Sequence, residues 1–373
     1  MNSRIIEIKR NAENSISARI TQLREKLWYE EDINNIKKKL QQCEVTPLSQ
    51  EQKKEIIAYW EKLIGKEIPT YWHEYFYSRN EIYSVKYVPT CVYHSEIVYR
   101  LNYRPLAIAY ADKNFYDSYF SDILRPRTLV RNINGYFYND KKPISKEEAL
   151  DICKDRKDMV IKPSLMGRWG RSVKIFSSIG GFVNEKESVS DVLNEYGKNY
   201  IIQEKVIQHE GMSKLNPTSL NTIRVLSYRH QEEVFILYAV VRIGRKGKLV
   251  DNETAGGINA DINIDDGKIR NCAYGTPSEK QIFNTDVGTI LKDFPIPSFD
   301  KVLALAKDLH LRLPYFNIIG WDFCIDSFGN PMMIEWNKAP DLSQTAHGPA
   351  FGDMTEDIVK FAMKQNDTFG IRY

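Results

Sequence analysis

The segment from Asn317 to Asn337, NIIGWDFCIDSFGNPMMIEWN, sets two carboxylates and an amide among residues that otherwise read as apolar strands. Its first run, Asn317 to Ile325, is rich in Ile, Phe and Trp. The second, Met332 to Trp336, follows the turn-forming Ser327-Phe328-Gly329-Asn330-Pro331, so the pattern predicts a β-hairpin. Side chains alternate along a strand, which puts Glu335 and Asn337 on one face with Asp322 opposite them on the neighbouring strand. Oxygen donors converging in this way suit a hard cation such as Mg2+, which is usually held by one or two carboxylates together with substrate phosphates. The alternative is a hairpin whose polar residues face water, and the apolar neighbours on both strands argue against it.

Residues 159–175, MVIKPSLMGRWGRSVKI, read as a short strand ending in Lys162, a loop containing Gly167, Arg168, Gly170, Arg171 and Ser172, and a second short strand. Glycine lets backbone amides approach a ligand closely and lysine acts on phosphate as a point charge, so the stretch suits a phosphate cover. It is not a Walker A sequence, because the lysine precedes the glycines and no helix follows at once. An ordinary basic hairpin loop has a similar composition, so the loop alone does not decide its role.

Taken together, the two clusters resemble the ATP-grasp superfamily, in which a strand lysine and a glycine-containing loop clamp ATP and a later hairpin holds Mg2+ through Asp, Glu and Asn. The resemblance extends to Asp112-Lys113-Asn114-Phe115, similar to the superfamily's earlier nucleotide lysine, and to Tyr200 to Ile207, similar to its adenine hinge. It implies that Lys113 and Lys162 contact phosphates and that Gln203, Glu204, Lys205 and Val206 meet the adenine. It also implies that Asp322, Glu335 and Asn337 ligate Mg2+. The intervening segments, containing Asn221, Arg224, Arg242, Asn252, Gly256 and Gly257, resemble the sugar-transfer-associated branch, and also tubulin-ligase and glutamate-ligase relatives. By that likeness Arg224 and Arg242 act with Lys162 in catalysis, touching the terminal phosphate and a substrate carboxylate, while Asn221, Asn252, Gly256 and Gly257 approach substrate. An arginine fork suits both anions, since it binds them bidentately and stays charged. His347, just after the hairpin, is a candidate proton acceptor from the amine and a substrate contact. The chain departs from the pattern at Trp169, in a loop with only two glycines, and at Gly320, where several ligases carry arginine.

The fold implied is α+β: two α+β subdomains clamping ATP between antiparallel sheets, preceded by a helical and aromatic-rich extension. The expected divisions are 1–65 (helical extension), 66–110 (aromatic-rich subdomain), 111–210 (lid with phosphate loop and hinge) and 211–373 (Mg2+ site). The activity implied is that of an ATP-dependent carboxylate–amine ligase working through an acyl phosphate, in surface polysaccharide biosynthesis. Its partners would be a small or glycan-linked carboxylate and an amine. An ATP phosphotransferase and a silent nucleotide-binding module are the alternatives.

The elements that must position these groups are legible in outline. Ile33, Ile36 and Leu40 continue a helical stripe begun by Ile16, Ile20, Leu23 and Leu27, and Ser49 with Gln52 reads as a capping box for a helix ended by Gly65 and Pro69. Tyrosines crowd residues 66–110, and aromatic side chains more often pack a core than stack on sugars. They are expected to pack a small sheet domain against the N-terminal helices.

A chain of 373 residues with 42% hydrophobic and 27% charged residues has the composition of a globular enzyme. Its net charge of +3 gives no nucleic-acid signal. Five scattered cysteines read as reduced thiols rather than a disulfide framework. With no secretory core at the N-terminus and no apolar run of membrane-spanning length, a cytoplasmic location is expected.

Overall fold

Alternating apolar residues build two six-stranded antiparallel sheets in the computed structural model, which describes residues 26–165, 173–251 and 253–365. Gly167, Arg168, Gly170, Arg171, Ser172 and Asn252 lie outside the described residues, as do Ile16, Ile20 and Leu23.

The first sheet contains β1 (Thr128–Ile133), β2 (Tyr136–Asn139), β3 (Lys142–Ile144), β4 (Met159–Pro163), β5 (Lys174–Phe176) and β6 (Tyr200–Glu204), in the order β3-β2-β1-β6-β4-β5. Helices Lys146–Cys153 and Val189–Tyr196 cover one face, packing Ala149, Val192 and Leu193 against Val130, Met159 and Ile202. Both helices open with a capping box, Ser145 with Glu148 and Ser188 with Asp191, which satisfies amides that the first turn leaves unpaired.

The second sheet contains β7 (Thr222–His230), β8 (Glu233–Ile243), β9 (Ile258–Ile262), β10 (Ile269–Tyr274), β11 (Ile318–Ile325) and β12 (Pro331–Asn337), in the order β10-β9-β8-β7-β11-β12. One face, with Ile223, Val225, Val241, Trp321 and Phe323, packs on helix Phe299–Leu311. The other places Leu226, Tyr228, Tyr238, Val240 and Ile318 under the N-terminal helices.

Those helices run over 26–42, Gln50–Ile64, Tyr71–Asn80 and 90–101. The expected capping box is present, with Ser49 N–H donating to Gln52 Oε1 at 2.8 Å and Gln52 N–H to Ser49 Oγ at 3.2 Å. Gly65 ends that helix at φ 71°, a left-handed conformation that glycine adopts without strain. The aromatic segment differs from expectation. Residues 66–110 add helices and turns rather than a small sheet domain, and Trp72, Tyr75, Phe76, Tyr87 and Tyr93 join the core on the second sheet itself. The five cysteines stand free, and no helix among the described residues is long and apolar enough to cross a membrane.

Candidate active site

Strand register assembles the polar set. Asp322 pairs with Arg224 across β11–β7 and with Glu335 across β11–β12, where Gly320 also pairs with Asn337. Thr222 pairs with Arg242 across β7–β8, and Arg242 with Asn259 across β8–β9. Because alternate residues share a face, Arg224 and Arg242 lie on the side of Leu226, Tyr238 and Val240. That face is apolar at one end, where the N-terminal helices cover it, and polar at the other. The polar end floors a cleft of about 1130 Å³ lined by Lys113, Lys162, Arg224, Arg242 and Glu335.

Asp322 is the hub. Arg224 donates to it bidentately, Nε to Oδ1 at 2.6 Å and Nη2 to Oδ2 at 2.8 Å, with Arg242 Nη1 at 3.4 Å from Oδ1. The Asn337 amide nitrogen donates to Oδ2 at 3.2 Å, so the expected convergence of the hairpin residues is seen in the geometry. Arg224 and Asp322 side chains are each only 5% exposed, whereas Arg242 is 20% exposed and keeps donors facing the cleft. The geometry therefore distinguishes the two arginines: both line the cleft, but Arg224 is already engaged by two short bonds to Asp322, whereas Arg242 stands 3.4 Å from it.

Gly320 is accounted for by packing. A Cβ there would lie 2.5 Å from Pro340 Cβ and 3.5 Å from Arg224 Cδ, so the space an arginine would need is already filled. Gly320→Ala is expected to cost about 1–3 kcal/mol, the usual range for overpacking, and to show as a lower melting temperature.

Two lysines face this floor. Asp112 caps the short turn Lys113–Phe115, and the Lys113 amide donates to Ser164 O at 3.0 Å, pinning the turn beside the end of β4. Lys113 Nζ sits 3.0 Å from Glu335 Oε2. Burial works against the charge on Lys113, but the Glu335 carboxylate outweighs it and holds the ammonium above its usual range. Burial would likewise raise the Glu335 carboxyl, yet Lys113 and then Lys162 overcome it and bring it down to about 2. Lys162 has no such close partner among the described residues: burial, followed by repulsion from Lys113, lowers it to about 8. Its charge is therefore lost as the pH rises through about 8. Phosphate contact needs the charged form, so nucleotide affinity should fall above that pH, and binding near pH 8 should take up a proton. Calorimetry in buffers of different ionisation enthalpy reads both effects.

A second cleft, of about 710 Å³, meets the first at Lys162. Gln203, Glu204, Lys205 and Val206 line it with apolar Leu129, Val160 and Ile334. The Gln203 side chain donates to Pro126 O at 3.1 Å and to Thr128 Oγ1 at 3.2 Å, and the Lys205 amide is engaged by Asp158 O at 2.8 Å. Asp251, for which the sequence carries no site signal, lines the same cleft. Thr222 donates to its Oδ2 from the amide at 2.9 Å and the hydroxyl at 2.5 Å. Burial raises this carboxyl to about 6 despite those bonds.

Several expected substrate contacts lie elsewhere. Asn221 is fully buried, its amide donating to Met212 O at 2.9 Å and Asn216 O at 2.8 Å while its oxygen accepts from Ser219. It ties together the loop before β7, and its donors are already engaged. Gly256 and Gly257 line neither cleft, though Glu253, Ala255 and Asn259 line the larger one. His347 also lies outside both linings, held by Asp261 Oδ1 at 2.7 Å and stacked on Tyr238 with centroids 4.9 Å apart. That arrangement orients the loop that carries His347 through Asp261 and Tyr238.

The sequence matches the sugar-transfer associated ATP-grasp family over residues 94–358, and the chain belongs to that family. Two antiparallel sheets with helices, meeting around the paired clefts, are its α+β ATP-grasp fold. Among solved structures the chain is similar to an ATP-grasp ligase, PsnB, complexed with minimal precursor (14% identity, 70% of this chain, 63% of that one, TM-score 0.39). It is also similar to a D-alanine–D-alanine ligase from Bacillus anthracis (14%, 68% and 65%, TM-score 0.37). A third is a biotin carboxylase complex from Campylobacter jejuni (14%, 68% and 46%, TM-score 0.41). The chain thus spans less than two thirds of the length of each of these relatives. No curated protein sequence matches it.

Proposed function

We propose that the protein is an ATP-dependent ligase that joins a carboxylate to an amine. The observation that carries this reading is the arrangement of the cleft floor, with Glu335 between Lys113 and Lys162 and Arg242 beside Asp322. In this reading Lys162 and Lys113 hold phosphates, and the apolar cleft behind Gln203 to Val206 takes the adenine.

Mg2+ fits the donor chemistry. Among the described residues no three His, Cys, Asp or Glu side chains gather as ligands, so an ion here relies on Glu335, Asp322 and the Asn337 amide oxygen, with phosphate and water completing its shell. Glu335 is the most available donor, its side chain 32% exposed against 5% for Asp322. When bound, Mg2+ and ATP supply a polarised phosphoryl group. The chain's own contribution is electrostatic: Arg242 holds the attacking carboxylate and Lys162 neutralises charge on the transferred group. The carboxylate oxygen attacks the terminal phosphorus and ADP leaves. The amine then attacks the acyl carbon, phosphate departs with its bonding electrons, and the amine's proton passes to solvent.

The family's association with sugar transfer favours a uronic acid or sugar-linked carboxylate, joined to an amine or amino acid during the biosynthesis or modification of surface polysaccharide. Mass spectrometry of Mg2+-ATP incubations with pooled uronic acids and amines tests the whole reading. ADP release that needs both partners supports the ligase, and phosphate transfer to a hydroxyl without an amine replaces it with a phosphotransferase. ATP binding with no turnover in any mixture replaces it with a silent nucleotide-binding module.

A further inference from the structure

The reactive cleft has a wall that precedes the family match: residues of helix 26–42 with Trp72, Tyr75, Phe76, Thr90 and Tyr93 line it, and the match begins at residue 94. Along this wall the helical run 90–101 contains one π turn, Tyr93–Ile97, in which the Val98 N–H reaches back to the Tyr93 carbonyl. A π turn accommodates one extra residue and rotates its neighbours, and such irregularities occur frequently at functional sites. Here two consecutive residues, Tyr93 and His94, line the same cleft. His94 is tied down, its Nδ1 3.2 Å from Asp32 Oδ2 on helix 26–42.

Tyr93 is not. The residue is 1% exposed and its hydroxyl has no hydrogen-bond partner among the described residues. Leaving a buried hydroxyl without a partner is costly. Among the tyrosine hydroxyls without a partner in the described residues, those of Tyr59, Tyr93, Tyr116 and Tyr200, only Tyr93 belongs to a residue that lines either cleft, where a ligand atom could meet it. Tyr238, Asp341, Tyr99 and Arg224 form its electrostatic surroundings, and of these Asp341 and Arg224 line the cleft with it. Burial, reinforced by Tyr238 and Asp341, keeps the phenol protonated well above its ordinary range, so it is a donor at any working pH. A phenol donor close to the Arg224 guanidinium, in a cleft that Arg242 also lines, favours an anionic acceptor over a cationic amine.

We propose that the Tyr93 hydroxyl is a substrate-binding group, donating a hydrogen bond to the small carboxylic acid that Arg242 faces, in a subsite closed by the Asp32–His94 pair. This rests on the ligase reading of the cleft and deepens it by assigning the carboxylate end to a wall outside the family match.

Tyr93→Phe tests it with little risk to the fold, since it removes only an unpaired polar atom, and the melting temperature should stay level or rise. Acetate, L-glutamate and D-glucuronate are titrated separately into protein saturated with Mg2+ and AMPPNP. At least one acid should bind the unsubstituted protein and bind the variant roughly 10- to 100-fold more weakly, the loss expected for a hydrogen bond to a charged group. Equal affinity in both proteins overturns the proposal and leaves the hydroxyl a packing feature. Failure of all three acids to bind the unsubstituted protein overturns it as well. An acid that binds through Tyr93 while no amine elicits ADP release upholds the subsite and removes the ligase reading, so the two failures are distinguishable.

Discussion

Glu335→Gln should lower turnover by about 10²- to 10⁴-fold while leaving the fold intact, the range expected when a pre-positioned charge at a phosphoryl-transfer site is removed. Glu335 is paired with Lys113 at 3.0 Å and also feels Lys162, so its removal has two opposite effects on nucleotide binding. Without a divalent cation Lys113 is freed from its carboxylate, and ATP should bind at least as tightly as to the unsubstituted protein. With Mg2+ present, a ligand for the ion is gone and ATP should bind more weakly. This reversal is specific to a metal-bridging carboxylate, since a residue that merely packed would shift both titrations alike. Unchanged turnover, or the same shift with and without Mg2+, removes Glu335 from the metal site.

Arg224→Met should cost about 3–5 kcal/mol of stability, the usual penalty for leaving one member of a buried ion pair uncompensated. Its side chain and that of Asp322 are each 5% exposed and joined by two short bonds, while the remaining cation, Arg242, stands 3.4 Å away. A domain is typically stable by only about 5–15 kcal/mol, so urea denaturation should show a large shift in midpoint. The double variant Arg224→Met with Asp322→Leu should recover most of that stability, because apolar residues of similar volume replace buried pairs at little cost. It should nevertheless be inactive. A single Arg224 variant that is fully stable but inactive would instead assign this arginine to the substrate, against its geometry.

The hairpin that carries this site was readable because its information is local. The turn Ser327 to Pro331 is flanked by strands whose period of two fixes which residues share a face, and Asp322 pairs with Glu335 accordingly. The capping box at Ser49 and the glycine stop at Gly65 are local in the same sense. What was hidden depends on register and burial. Nothing near Arg224 in sequence reveals that β7 pairs with β11 so as to set it against Asp322, 98 residues away. Asn221 and His347 have the side chains of ligand contacts, but Met212 and Asn216 engage the first and Asp261 the second. Asp251 has no distinguishing mark in the sequence, for only the fold buries its carboxyl against Thr222. Tyr93 was one aromatic among many, and the π turn that sets it apart leaves no mark in the sequence. The aromatic residues of 66–110 do pack a core, as their type implies, but composition does not say which sheet they cover, and here they join the helical cover of the second sheet.

The central claim is that Glu335, with Asp322 and Asn337, holds a divalent ion against a triphosphate whose far side is met by Lys162. A structure determined with Mg2+ and AMPPNP tests it most directly. The account predicts Mg2+ at about 2.0–2.1 Å from a Glu335 oxygen, with Asp322 or Asn337 completing the protein ligands and Lys162 within hydrogen-bond distance of a phosphate oxygen. Phosphates lying away from Lys162, or an ion ligated only by phosphate and water while Glu335 stays paired with Lys113, would contradict it.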